Sequence, residues 1–259
     1  MRKIKPVDEW VTIRENIRLT PRLLKVSFDF PKLAKIARPG QFLQMAIEDA
    51  RDPFLRRPFT VYRVKRNTIE ILYEVVGKGS RLLSEKKKGE RLKIMGPLGN
   101  TFTMSLKKRI HVAVGGGVGI APFIFLGQRM PVHYFLMGAR SKEGLLPNAE
   151  FRGLTGKKIF ATEDGSCGMK GFVTAALEKV IREVGDAGKL YLFVCGPKKM
   201  LEAVMEMAER FGIEGEASMD ERMACGIGAC LGCMVKTRDG YKTSCKDGTV
   251  FNFKDLLVD

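Results

Sequence analysis

The chain has 259 residues, enough for two domains and a small third unit. Hydrophobic residues make up 45% of it, which is typical of a globular protein and excludes a largely disordered chain. Its net charge of +16 suggests nucleic-acid binding, but the 45 Lys and Arg residues are spread along the chain and accompany no DNA- or RNA-binding motif. We therefore expect a solvated basic surface and no nucleic-acid partner.

The sequence shows no sign of membrane insertion or secretion. Its longest apolar run, residues 120–126, is too short to cross a bilayer and contains Pro122. Residues 1–5 are mostly charged and lack the apolar segment of a secretory leader. We expect a cytoplasmic protein, in a reducing compartment where clustered cysteines are more often metal ligands than disulfides.

The first hundred residues have the pattern of an antiparallel β domain, with short runs of alternating polar and apolar residues between turn residues. Six strands are predicted, at residues 10–17, 23–30, 41–47, 59–64, 69–76 and 91–94. A short helix is predicted at residues 80–87. Six such strands can close into a small barrel.

Two segments of this domain could bind phosphate groups. Arg57-Pro58-Phe59-Thr60 places a guanidinium at the start of a strand, where it could form two parallel hydrogen bonds to a phosphate. Residues 75–80 form a Gly-rich bend into the predicted helix, and backbone N–H groups at a helix start also bind phosphate. Each pattern equally suits an ordinary strand or turn, so the residues alone leave both functions open.

After residue 109 strands alternate with helices, the pattern of a parallel, doubly wound sheet. Strands are predicted at residues 110–114, 132–137, 158–161 and 190–194, and helices at residues 172–183 and 197–210. The loop after the first strand contains Gly115, Gly116, Gly117, Val118 and Gly119. This loop matches the dinucleotide fingerprint only in part, because Ile120 stands where its third Gly belongs.

Cys195-Gly196-Pro197 follows a later strand of this region. Ligands of such sheets bind at the carboxyl ends of the strands, so these residues are candidates for a nucleotide site. Cys195 could equally be a small buried side chain.

Four of the six cysteines lie near the C-terminus with the spacing C-x4-C-x2-C followed by one distant cysteine. They are Cys225, Cys230, Cys233 and Cys245. This order is typical of plant-type [2Fe–2S] ligands, and the intervening glycines allow a tight loop around a metal. Structural zinc usually shows two C-x2-C pairs or a Cys/His mixture. The spacing favours an iron–sulfur cluster, with zinc the alternative and Cys167 a bystander thiol.

With these motifs in order, the chain resembles the ferredoxin–NADP reductase superfamily along nearly its full length. Within it, the chain is similar to the electron-transfer subunits of dihydroorotate dehydrogenase B. The resemblance implies a multidomain protein with an FAD-binding, six-stranded antiparallel β-barrel at residues 1–103. An NAD-binding α/β domain with a parallel sheet would follow at residues 104–214, and a small [2Fe–2S] domain at residues 215–259.

The resemblance also implies roles for individual residues. Arg57 would hold the FAD pyrophosphate, and Thr60 would hydrogen-bond near flavin N5. Further FAD contacts would come from Pro58, Phe59, Leu72, Tyr73, Glu74, Gly79 and Ser80, although Glu74 stands where the family often has a basic residue. NAD contacts would come from Gly115, Gly116, Gly117, Val118, Gly119, Gly196 and Pro197, with Cys195 near the nicotinamide. Cys225, Cys230, Cys233 and Cys245 would bind the cluster.

The activity implied is that of an oxidoreductase subunit in pyrimidine biosynthesis. Electrons would pass between the FMN of a dihydroorotate-oxidising partner, the chain's own [2Fe–2S] cluster and FAD, and NAD+. The resemblance further implies a heterotetramer with two copies of each subunit. NAD rather than NADP rests on the resemblance alone, because Arg140 could accept a 2′-phosphate.

Two other functions remain open at this point. The first is the flavin and [2Fe–2S] subunit of an NAD(P)H–ferredoxin oxidoreductase or a sulfide dehydrogenase-like complex. Those relatives often carry Asp at the first cluster position, so Cys225 favours the dihydroorotate function. The second is a zinc-stapled, basic binding module without a redox role.

Overall fold

The computed structural model describes residues 5–48, 52–106 and 108–257. Sixteen strands and six α-helices lie in these ranges. No helix within them has the length and apolar character needed to cross a membrane. Residues 1–4, on which part of the leader-peptide expectation rests, lie outside the described ranges.

The first sheet is antiparallel and curls on itself. Its seven strands are β1 (Val7–Arg18), β2 (Leu23–Asp29), β3 (Phe42–Ala46), β4 (Arg57–Thr60), β5 (Arg63–Lys65), β6 (Thr68–Glu74) and β7 (Arg91–Leu98). The order across the sheet is β4-β3-β7-β1-β2-β6-β5. Since β4 and β5 are consecutive in the chain but lie at opposite edges, the sheet must bend until its edges meet.

The prediction of six strands is wrong, because the strand expected at residues 59–64 is divided into β4 and β5. Between these two strands the Val61 N–H donates to the Gln41 carbonyl and the Tyr62 N–H donates to the Glu70 carbonyl, both at 3.0 Å. The chain therefore passes here from one sheet edge to the other. Both Val61 and Tyr62 are fully buried, so the apolar pattern of the sequence continues across the gap between β4 and β5. The sequence pattern therefore does not indicate that the strand ends there.

Two helices interrupt this sheet, α1 (Pro31–Ile36) and α2 (Lys78–Glu85). Helix α1 was not predicted; it begins with Pro31, a residue suited to a first turn, and buries Leu33 and Ala34. Helix α2 begins two residues before the predicted one. Its start is fixed by the Ser80 hydroxyl, which accepts hydrogen bonds from the N–H groups of Val76 and Gly77.

The remaining strands form a second sheet and a hairpin. They are β8 (Ile110–Gly116), β9 (Tyr134–Ala139), β10 (Lys157–Thr162), β11 (Met169–Lys170), β12 (Leu190–Cys195), β13 (Glu214–Ser218), β14 (Met234–Thr237), β15 (Gly240–Thr243) and β16 (Val250–Asn252). The sheet order is β11-β10-β9-β8-β12-β13-β16. Strands β14 and β15 form a separate hairpin, from which Thr237 makes an isolated bridge to Leu256. All neighbours in the sheet are parallel except β16, which runs antiparallel to β13. The predicted parallel sheet is thus present, with one antiparallel edge strand that was not predicted.

Helices cover both faces of this second sheet. They are α3 (Ala121–Gly127), α4 (Val173–Val184) and α5 (Lys198–Arg210), and the short α6 (Ser244–Asp247) follows the hairpin. On one face, Phe123 of α3 packs in the same apolar cluster as Phe193 of β12. On the other face, Leu177 of α4 and Val204 of α5 cluster with Leu192. Adjacent residues of β12 therefore point to opposite helical layers, as expected of a doubly wound sheet.

The C-terminal segment is tied to both sheets. Strand β16 extends the second sheet, and the Thr249 hydroxyl donates to the carbonyl of Gly40 beside the first sheet at 2.7 Å. The Asn100 side-chain amide donates to the Val250 carbonyl at 2.7 Å. Strand β13 crosses the expected boundary between residues 214 and 215. The two boundaries between the three predicted domains stay a prediction.

Candidate functional site

A cleft of about 940 Å³ lies between the two sheets. Four of the segments that the sequence singled out reach its wall. They are Pro58–Thr60, Leu72–Glu74, Gly116–Gly119 and Cys195–Pro197. Ligand sites are concave and often lie between domains, so this cleft is the best candidate in the described part of the chain for a flavin and dinucleotide site.

One wall of the cleft is formed by the first sheet. Pro58 and Thr60 lie on β4 beside Phe42 of β3, and Tyr73 and Glu74 lie at the end of β6. Glu74 contacts the Arg22 guanidinium at 3.4 Å, and Arg22 also lines the cleft. A cation is therefore present next to the acidic residue that stood out in the sequence. No sequence motif marks Arg22, because it reaches Glu74 only after β2 pairs with β6.

Arg57, Gly79 and Ser80 border the cleft without lining it. The Arg57 side chain lies over Gly79, where an added Cβ would be 2.6 Å from the Arg57 Nε. The Arg57 guanidinium donates a hydrogen bond to the Leu55 carbonyl. Ser80 is buried, and its hydroxyl is occupied by the N–H groups of Val76 and Gly77. In this structure Ser80 shapes the turn, and Gly79 makes room for the guanidinium.

The opposite wall is formed by the glycine loop after β8. An added Cβ at Gly115 would lie 2.7 Å from the Ile120 Cα, and one at Gly119 would lie 2.5 Å from the Cys195 carbonyl oxygen. Gly117 has φ of +54°, a conformation that suits glycine. These glycines let the β8 loop pack against the end of β12, where Gly115 and Cys195 are paired in register. The two strand ends thus form one edge of the cleft.

Cys195 is the buried thiol at this edge, only 6% exposed. Burial raises its pKa to about 12, and the nearby Asp220 carboxylate acts in the same direction. The side chain is therefore a neutral thiol at physiological pH. Ser218 and Asp220 also line the cleft here and were not predicted from the sequence. Two charged residues also line the cleft, Arg140 after β9 and Glu163 after β10.

The four C-terminal cysteines lie close to one another beside strand β3 of the first sheet. The Cys225 sulfur accepts hydrogen bonds from the N–H groups of Ile227, Ala229 and Cys230 at 3.3–3.5 Å. The Cys245 sulfur accepts from the Gly228 N–H at 3.0 Å, and the Cys233 sulfur from the Cys245 N–H at 3.4 Å. Backbone donors directed at sulfur stabilise thiolate and are a main influence on the potential of an iron–sulfur centre.

The thiols form two neighbouring pairs, Cys225 with Cys230 and Cys233 with Cys245. Burial opposes ionisation of Cys225, but the N–H donors outweigh it and lower its pKa; burial and the adjacent Cys233 raise the pKa of Cys245. No group of three or more His, Cys, Asp or Glu side chains in residues 5–48, 52–106 and 108–257 is arranged to hold a metal ion. Two thiol pairs fit a two-iron centre, with two ligands for each iron, better than one tetrahedral zinc.

The cysteine loop rests on the outer surface of the first sheet. Cys233 and Cys245 are buried in an apolar cluster with Phe42 and Leu98. Met223, just before the loop, packs against that cluster and also lines the cleft. The cysteine site and the wall carrying Pro58 and Thr60 therefore share strand β3 as their support.

Comparison with known proteins gives a consistent result. A family model described as the iron–sulfur cluster binding domain of dihydroorotate dehydrogenase B matches residues 220–257. A protein of Desulforamulus reducens named dihydroorotate dehydrogenase B (NAD(+)), electron transfer subunit, is 36% identical over 244 residues, covering 90% of this chain and 92% of the relative. The protein of the same name from Caldanaerobacter subterraneus subsp. tengcongensis is 38% identical over 251 residues, covering 95% and 96%.

Solved structures share the fold. The structure of an NADH-dependent reduced ferredoxin-NADP oxidoreductase, described in connection with flavin-based electron bifurcation, has a TM-score of 0.84 and 29% identity and covers 96% of this chain and 90% of its own. A ferredoxin NADP+ reductase from Neisseria gonorrhoeae with bound FAD and NADP has a TM-score of 0.65 and 17% identity, covering 79% and 92%. At that identity the second likeness shows the fold alone.

Proposed function

The chain belongs to the family of electron-transfer subunits of dihydroorotate dehydrogenase B, and from this membership we propose that it links a dihydroorotate-oxidising partner to NAD+ in pyrimidine biosynthesis. The chain would hold FAD and a [2Fe–2S] cluster, and the partner would hold FMN. A bound flavin accepts two electrons together and releases them singly, which joins a two-electron nicotinamide to a one-electron cluster. The observation that carries the proposal is the placement of the four cysteines beside a cleft lined by both nucleotide-binding segments.

FAD is assigned to the wall formed by the first sheet. Pro58, Phe59 and Thr60 present a strand edge and a hydroxyl to the cleft, and Arg57 lies at its border, where its guanidinium can turn to a phosphate. The hydroxyl of Thr60 is assigned to the flavin ring.

NAD+ is assigned to the opposite wall. The glycine loop leaves its backbone uncovered by side chains, so that a pyrophosphate can approach the N–H groups at the start of α3. Cys195 stays neutral and is buried, so it can pack against a nicotinamide without placing a charge beside it.

The partner is assigned to the exposed surface of the cysteine loop. Cys230 is exposed, and three apolar side chains near it in sequence are exposed by more than half: Ile227 by 55%, Leu231 by 58% and Tyr241 by 66%. Exposed apolar side chains of this size often mark a protein interface. A heterotetramer with two copies of each subunit would bury them and shield the cluster from water. The ferredoxin oxidoreductase alternative is not favoured, because the full-length relatives at 36% and 38% identity carry the dihydroorotate dehydrogenase B name.

Anaerobic purification, visible absorption, metal analysis and EPR test the proposal. The expected result is one flavin and two irons per chain, with visible absorbance that dithionite bleaches. Cys225→Ala should lose the iron, while Cys167→Ala, which changes a thiol in a different loop, should keep it. The purified chain should oxidise dihydroorotate with NAD+ only after addition of the FMN partner. A colourless protein with stoichiometric zinc, or turnover of dihydroorotate by the chain alone, would contradict the proposal.

A further inference from the structure

Gln44 lies in the middle of β3 and is completely buried. Both its Nε2 and its Oε1 atoms are without a hydrogen-bond partner among the described residues. Buried side-chain amides are almost always hydrogen-bonded, because desolvating them without compensation destabilises the fold. The unpaired Nε2 donor therefore points to an acceptor that is bound at this position in the working protein.

The side chain of Gln44 points away from the barrel interior. Its neighbours Leu43 and Met45 belong to the barrel core, whereas Phe42, two residues before it, packs against Cys233 and Cys245. Successive side chains of a strand alternate between its faces, so Gln44 shares the outer face with Phe42.

On that face Gln44 lies directly under the cysteine loop. An added Cβ at Gly226 would lie 2.5 Å from the Gln44 Cγ and 2.6 Å from its Nε2. Gly226 follows Cys225 and has φ of +70°, so the loop bends here in a conformation that favours glycine. The unpaired amide is thus in contact with the loop that connects the first two cysteines.

The sulfur atoms of three of the four cysteines already have backbone donors. Cys225 accepts from three N–H groups, and Cys233 and Cys245 accept from one each. The sulfides that bridge the two irons of a [2Fe–2S] centre are further acceptors. The amide of Gln44 has two N–H donors and reaches this site from the side of the barrel.

We propose that Gln44 donates an N–H hydrogen bond to a sulfur atom of the bound cluster and thereby raises its reduction potential. This inference rests on the proposed function. Reduction adds negative charge to the cluster and its sulfur ligands, so a donor stabilises the reduced state more than the oxidised state. Gln44 is also paired in register with Pro58 on the flavin wall. Gln44 would thus adjust the reduction potential of the cluster from the side of the cluster that faces the flavin site.

The competing explanation is that Gln44 is an unpaired core residue without a role. In that case a side chain of similar shape without polar atoms would be neutral or stabilising and would leave the cluster unchanged. Gln44→Met is that substitution. Met95→Leu is the matched control, because Met95 is the cross-strand neighbour of Gln44 and packs against the same cysteines but offers no donor.

An EPR-monitored redox titration of the loaded proteins measures the effect. Gln44→Met should lower the equilibrium constant for cluster reduction about tenfold, which is a shift of about 59 mV to more negative potential for one electron. Met95→Leu should titrate with the wild type. A Gln44→Met protein that keeps its cluster and its potential would overturn the inference.

A second measurement decides the matter if Gln44→Met does not retain the cluster. Wild-type protein containing glutamine labelled with 15N in the side-chain amide should show a 15N coupling to the reduced cluster in pulsed EPR. The chain has three glutamines, and the other two have partners: Gln41 bonds Arg38 and Gly99, and Gln128 bonds Val64. Absence of the coupling overturns the inference and leaves the proposed function intact, whereas a wild-type protein with no reducible two-iron signal overturns the proposed function itself.

Discussion

Glu150 joins the two sheets through a partly buried polar network, and its neutralisation should weaken that junction. Its carboxylate accepts from Lys25 Nζ at 2.8 Å, from the Tyr62 hydroxyl at 2.7 Å and from Arg63 Nη1 at 3.1 Å. Glu150 lies before β10 of the second sheet. Its partners belong to the first sheet: Lys25 lies on β2, Arg63 on β5 and Tyr62 between β4 and β5. The carboxylate therefore fixes how the two walls of the cleft face each other.

The magnitude follows from burial. The side chains of Lys25, Arg63 and Glu150 are exposed by only 9%, 10% and 12%. Removing one partner of a buried pair costs about 3–5 kcal/mol, because the other charge stays desolvated. Glu150→Gln keeps the shape and one acceptor oxygen, and Arg63 keeps its contact with Glu70 at 3.3 Å. We therefore expect a loss of about 2–3 kcal/mol in the free energy of unfolding.

A double-mutant cycle isolates the interaction. Glu150→Gln, Lys25→Met and their combination are compared with wild type by urea unfolding followed by circular dichroism, and a coupling of about 1–2 kcal/mol is expected. The pair Arg182–Glu178 is the matched control, because its side chains are 77% and 38% exposed. Its coupling should be no more than about 0.5 kcal/mol. Equal coupling at the two sites would refute the argument from burial.

The same carboxylate predicts a pH dependence. Burial alone would raise the pKa of Glu150, but the hydrogen bonds from Lys25 and Tyr62 and the charge of Arg63 outweigh it and lower the pKa below the ordinary 4.5. The stabilisation is therefore fully present above pH 4.5 and is lost as the pH falls through the folded-state pKa. The difference between wild type and Glu150→Gln should shrink below pH 4.5. A difference that is independent of pH down to the acid limit would contradict this assignment.

Two substitutions address the nucleotide walls. Gly119→Ala should raise the KM for NADH at least about tenfold, since the new methyl group would lie 2.5 Å from the Cys195 carbonyl oxygen and force the two strand ends apart. The control is Gly188→Ala, because Gly188 lies just before the opposite end of β12. Both variants are measured in steady-state assays with an artificial electron acceptor. If Gly119→Ala and Gly188→Ala had the same KM for NADH, the steric argument would be contradicted. Arg57→Lys should weaken FAD binding about tenfold in a fluorescence titration of the apoprotein, because an ammonium lacks the guanidinium's paired donors. Unchanged affinity would show that Arg57 serves only its contact with Leu55.

The sequence predicted the elements that have a strong local pattern. Five of the six strands predicted for the first sheet and the apolar strands β8, β9 and β12 are present, with bounds that differ by a few residues. The local pattern does not reveal that the chain crosses from one edge of the first sheet to the other at Val61 and Tyr62. Both residues are buried, and the crossing depends on pairing with strands that are distant in sequence. Strand β16 has only three residues and gains its partner, β13, from more than thirty positions earlier. Such pairing has no signature in the local pattern.

The same limit applies to the candidate site. Cysteine spacing and glycine loops are local signals; the glycine loop lines the cleft, and the cysteine segment adjoins it through Met223. Arg22 and Gln44 carry no motif, because their importance arises from contacts with Glu74 and Gly226, which lie 52 and 182 positions away (74 − 22 and 226 − 44). A metal or nucleotide site that depends on one residue type at a fixed spacing can be predicted from the sequence. The charges and hydrogen-bond donors that other segments bring to such a site can be identified only once the fold is known.

The attachment of the C-terminal segment fits the two kinds of transfer that the protein would support. One-electron transfer requires a short and constant distance, and the cysteine loop is held by strand β16 and by the bonds from Thr249 to Gly40 and from Asn100 to Val250. Hydride transfer instead requires a nicotinamide that enters and leaves. On that side the cleft is lined by Arg140 and Glu163, which follow β9 and β10. A fixed cluster and an exchangeable dinucleotide could therefore lie beside one cleft, because the contacts that hold the C-terminal segment involve neither the glycine loop after β8 nor Cys195–Pro197.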